Sequence, residues 1–97
     1  MIQVRREAHL DVLAGAAHYS RITRDLGHRF LDSVDYIIRH IENDPEFYAV
    51  KLKNDIRRAL VKNFPYAVYY RIESGTPIVH AVISTKASLK TILKKIQ

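Results

Sequence analysis

The sequence predicts one α+β domain in which an antiparallel two-helix hairpin packs on an antiparallel sheet. Three observations predict it. Two helical stripes occupy the first half of the chain. Three short strand-like runs follow between residues 56 and 85. Turn residues separate those runs: Phe64-Pro65-Tyr66 after the first, and Glu73-Ser74-Gly75-Thr76-Pro77 after the second. A length of 97 residues suits a single domain spanning 1–97. A hydrophobic fraction of 47% is enough to build its core.

Each element has its own warrant. Ile2-Gln3-Val4 is short and alternating, as an N-terminal edge strand is. From Glu7 and Ala8 the pattern turns helical, with Ala8, Val12, Ala16 and Tyr19 on one face. Gly15 inside that helix costs about 1 kcal/mol relative to Ala, which marks a close helix crossing. The pattern breaks around residues 20–25, where Thr23 or Asp25 can cap a second helix. Leu26, Phe30, Val34, Ile37, Ile38 and Ile41 form its apolar stripe. Asn43-Asp44-Pro45 stops it, because a residue before proline is biased away from helix. Residues 46–54 read as a connector anchored by Phe47 and Tyr48.

In the middle strand Tyr66, Val68, Tyr70 and Ile72 share one face, and Ala67, Tyr69 and Arg71 share the other. The run Ile78–Ser84 is apolar on both faces, so it is expected at the centre of the sheet. Leu89, Ile92, Leu93 and Ile96 mark a short C-terminal helix ringed by Lys86, Lys90, Lys94 and Lys95. Its apolar side is expected to dock on the sheet with the lysines in solvent. The order is strand, helix, helix, three strands and a short helix. The sheet face away from the hairpin stays open unless this tail or a partner covers it.

Composition narrows the function classes. Lys and Arg number 16 against 10 Asp and Glu, a net charge of +6. A basic domain prefers an acidic partner, whether nucleic acid, an acidic protein segment or an anionic surface; a merely solvated basic surface is the bland alternative. No run approaches the ~20 apolar residues of a membrane helix, and no signal-peptide core is visible, so a cytoplasmic, non-membrane protein is expected. Cysteine is absent, which excludes thiolate chemistry. His9, His18, His28, His40 and His80 show no metal-ligand spacing, so neither a metal nor a cofactor is expected. His80 stands out because it falls on the central strand; a buried, hydrogen-bonded role is expected for it.

Several segments resemble one family in order and spacing. They are Glu7-Ala8, Asp11-Val12, Ala16-Ala17-His18-Tyr19, Leu26-Gly27-His28-Arg29-Phe30 and Asn43-Asp44-Pro45. The most specific are Ile56-Arg57-Arg58-Ala59-Leu60, Phe64-Pro65-Tyr66 and Val68-Tyr69-Tyr70-Arg71-Ile72-Glu73. Together they resemble the RelE/ParE superfamily of bacterial toxins, which includes plasmid-stabilisation proteins. The resemblance covers nearly the whole chain. It implies a growth-inhibiting toxin of a type II toxin–antitoxin system, neutralised by the acidic, amphipathic C-terminal segment of a cognate antitoxin. It leaves open a homodimer or a heterotetramer with that antitoxin. RelE-like members cut mRNA on the ribosome; ParE-like members inhibit DNA gyrase by binding.

The chain departs from the family where the RNase chemistry would sit. Ser84 stands at the position of a His, Lys86 near that of an Arg, Leu89 near that of a Pro, and Ala67 at that of a further Arg. Cleavage by 2′-hydroxyl attack needs a base, an acid and cations to stabilise the phosphorane. Arg58, Lys62, Arg71 and Lys86 are the candidate cations, and no His or carboxylate stands beside them in sequence as a base. For each, a solvated surface charge is the commoner role. The candidate partner-binding residues are Tyr69, Arg71, Lys86 and Lys90, with Tyr69 on the open face. These departures favour a ParE-like binding toxin over an enzyme. The RelE-like endonuclease and an inactive family member that only binds remain as alternatives.

Overall fold

The computed structural model describes residues 1–96. Its elements are β1 (Gln3–Val4), α1 (Arg6–Ser20), α2 (Arg24–Asn43), β2 (Val50–Leu52), β3 (Ile56–Leu60), β4 (Tyr66–Glu73), β5 (Thr76–Ser84) and α3 (Leu89–Ile96). The α+β order is the predicted one. The five strands form one sheet in the order β1-β5-β4-β3-β2.

Two details of the sheet differ from expectation. The sheet is mixed, not wholly antiparallel: β1 runs parallel to β5, with Gln3 opposite Ile78 and Val4 opposite Val79. The helix hairpin carries the chain away from β1 and delivers it to the far edge, so the meander returns to β1 in the parallel sense. The expected connector also contains a strand, since β2 pairs antiparallel with β3. Asn54 and Asp55 both take positive φ, 63° and 61°, as a tight hairpin turn requires of its central residues. Three residues with a lysine in the middle are too short to show period-2 patterning.

The helix signals were placed well. Thr23 is the cap of α2, its hydroxyl accepting from Leu26 N at 3.1 Å. Phe30, Val34, Ile37 and Ile41 of α2 are buried, and with Ala8 of α1 they pack on Val68, Tyr70, Val79 and Val82. Gly15 does mark a close crossing: a Cβ there would meet the Phe30 ring at 2.6 Å. That ring is fully buried, with the centroids of Tyr19, Phe64 and Tyr66 within 4.9–5.3 Å.

The opposite sheet face carries a second core. Ile92 and Ile96 of α3 pack on Ile56, Ala67, Tyr69 and Ala81. Ser88 caps α3, its hydroxyl accepting from Thr91 N at 3.2 Å. Asp11 ties this layer to the rest. Its carboxylate accepts from Val82 N at 3.0 Å and from Lys95 Nζ at 2.6 Å, joining α1, β5 and α3. Val82 N needs that partner because β1 ends before reaching it.

Candidate functional site

The side chains singled out by sequence do not form one cluster. Lys62 and Lys86 are exposed and flank the Tyr66 end of β4, where Val61 N donates to Tyr66 O and Thr85 N to Pro65 O. Arg58 is half-buried on β3, opposite Tyr69. Arg71 lies towards the other end of β4. Lys90 is exposed on α3. Tyr69 corrects an expectation: it is on the predicted face, but that face is not open there. It is 2% exposed, because Ile92 and Ile96 cover it, so it offers no surface to a partner while α3 is docked.

The positions that depart from the RNase pattern are structural here. Ala67 is fully buried opposite Ile83. Ser84 accepts from Lys86 N at 3.1 Å and shapes the turn into α3.

A polar cluster gathers around Arg71, where the fold brings a carboxylate and an imidazole to one of the candidate cations. Arg71 and Glu73 alternate along β4, so both project from the same face. Arg71 donates through Nε and Nη2 to the same oxygen, Glu73 Oε2, at 3.1 and 3.0 Å. His80 reaches the same oxygen through a bulge. Tyr69 pairs with Ala81 and Tyr70 with Val79, which leaves His80 as an extra residue in β5. Its Nε2 lies 3.4 Å from Glu73 Oε2. Arg5, just before α1, approaches the other ring nitrogen, with Nη1 3.2 Å from Nδ1.

Arginine only donates, so Nδ1 must accept and the proton sits on Nε2. His80 is therefore neutral in this arrangement, with its Nε2–H aimed at Glu73. The contact is too stretched for a full hydrogen bond, and Nε2 is the buried side-chain polar atom left without a partner among the described residues. Burial lowers the pKa of His80; Glu73 partly offsets this, while the charges of Arg5 and Arg71 reinforce it. The hydrogen bond from Arg71 holds the Glu73 carboxyl below its ordinary value. Gln3, Arg5, Arg71, Glu73, Ile78 and His80 line an open cleft of about 370 Å³.

Arg5 and Glu73 are the members that sequence reading missed. The Arg71-x-Glu73 alternation was a usable signal. The bulge at His80 and the approach of Arg5 leave no trace in a linear pattern. Among the described residues, no group of three or more His, Cys, Asp or Glu gathers in a way that could hold a metal ion. No described helix is long and apolar enough to cross a membrane.

No protein-family model matches the chain, and no curated protein matches it. Among solved structures it is similar to a chain of one described as "Chromosomal ParDE TA system from P. aeruginosa". The TM-score is 0.65 at 14% sequence identity, over 87% of this chain and 96% of the other. The two chains share a fold.

Proposed function

We propose that this chain is the toxin of a type II toxin–antitoxin module and that it acts by binding its target, DNA gyrase in the ParE manner, not by cutting RNA. The observation that carries the toxin reading is the shared fold, which spans nearly all of a chain from a ParDE toxin–antitoxin structure. The preference for binding over cleavage rests on Ala67 and Ser84, which are a buried packing residue and a turn former. The neutralising partner is an antitoxin with an acidic, amphipathic tail. The net charge of +6 favours such a tail, as does the half-apolar, half-basic surface of Leu89, Leu93, Lys86 and Lys90. The setting is the cytoplasm, and no cofactor is involved.

Expression of the chain alone in bacteria tests this. Growth arrest with filamentation and induction of the SOS response, relieved by co-expressing the neighbouring reading frame, is the expected result. Inhibition of gyrase supercoiling by the purified chain should accompany it. Unimpaired growth would sink the toxin reading. Translation-dependent mRNA cleavage that is lost in Arg58→Ala or Lys86→Ala would establish the endonuclease alternative.

A further inference from the structure

We infer that Arg71, His80 and Arg5 form a carboxylate receptor, closed in this structure by the chain's own Glu73, which takes an acidic side chain of a partner protein. Two guanidinium donors and the Nε2–H of His80 converge on a single oxygen, Glu73 Oε2. A forked arginine donor with an imidazole N–H beside it matches a planar carboxylate. The second oxygen of Glu73 takes no part in these contacts, and the Glu73 side chain is 40% exposed, so it can swing out towards solvent.

The receptor is built, not incidental. The His80 side chain is only 4% exposed, and its Nε2 has no hydrogen-bond partner. An unpartnered buried donor is destabilising until a ligand satisfies it. A β-bulge is what turns it towards the cleft. The Arg5 contact sets its tautomer so that the donor, not the acceptor, faces the opening. With Glu73 withdrawn, Arg5 and Arg71 against Glu7 leave a net charge of +1, which suits one carboxylate. The self-ligand defines the chemistry: the site already holds a carboxylate.

Glu73 acts as a gate by competition. A partner carboxylate binds only the fraction of molecules in which Glu73 has left, so its apparent affinity falls by that fraction. Such a partner segment is the antitoxin tail if the toxin reading holds. A titration with a small probe tests the receptor whether or not the chain arrests growth.

The probe is N-acetyl-glutamate methylamide, added to the folded chain at constant ionic strength. The imidazole of His80 and the Nε–H of Arg71 are followed by NMR. Wild type should bind weakly, and Glu73→Gln should bind at least about tenfold more tightly, because the competing carboxylate is gone. Arg71→Lys should lose most of that gain, since a lysine lacks the fork. Equal affinity of wild type and Glu73→Gln would overturn the gated receptor. So would a His80 signal that the probe never moves in Glu73→Gln. A response to inorganic phosphate exceeding that to the probe would overturn the carboxylate assignment.

Discussion

Asp11→Ala should remove a side chain that stitches α1, β5 and α3 together. Val82 is 1% exposed, so losing the acceptor at 3.0 Å strands a buried backbone N–H, at about 1–3 kcal/mol. The pair with Lys95 adds less. Asp11 is 10% exposed but Lys95 is 37% exposed, so the pair is worth up to about 1 kcal/mol. Together these predict a loss of about 1–4 kcal/mol. For a domain of this size that lowers Tm by about 5–30 °C. Urea denaturation followed by circular dichroism should show a lower midpoint with an unchanged slope. Two further variants separate the parts. Asp11→Asn keeps an acceptor for Val82 N and should lose about 1 kcal/mol. Lys95→Ala should lose no more than that, while loosening α3 over Tyr69. An Asp11→Ala variant within about 0.5 kcal/mol of wild type would refute the claim that β5 depends on this carboxylate.

Gly15→Ala sets helix propensity, a gain of about 1 kcal/mol, against overpacking of the Phe30 ring, a cost of about 1–3 kcal/mol. The caged ring has no room to yield, so the net effect in wild type should be destabilising. In a Phe30→Leu background the same change should become stabilising, and a double-mutant cycle of denaturation midpoints reads the reversal. His80 predicts a pH dependence. Its folded pKa lies below the ordinary 6.5, so between those two values the unfolded chain binds the extra proton and stability rises with pH. Stability should therefore be full above about pH 6.5 and decline below it, and His80→Gln should flatten that window in thermal melts. Glu73, also lowered, contributes in the same direction but only below its ordinary 4.5, and Glu73→Gln should remove that part of the decline.

Much of the architecture was legible because it rests on local periodicity. The stripe from Leu26 to Ile41 could only be an amphipathic helix, and the alternation of Val68 and Tyr70 with Ala67 and Tyr69 correctly assigned two faces of β4. The site was less legible. Arg71 was singled out as a charge, but Arg5 lies far from it in sequence and His80 reaches it only through the bulge in β5. Tyr69 lies on the face that the alternation assigns, but its burial is not readable there, because a strand pattern does not say what covers a face.

The sequence by itself determined the α+β order, the end of the second helix at Asp44, the two-sided core strand and the basic charge, since each follows from spacing, capping or composition. The tertiary structure decided two further things: the parallel pairing of β1 with β5, and the gathering of Arg5, Arg71 and His80 around Glu73. Each of these brings together segments far apart in the chain. Such contacts depend on how layers stack and where a strand bulges, which no local pattern of residues encodes.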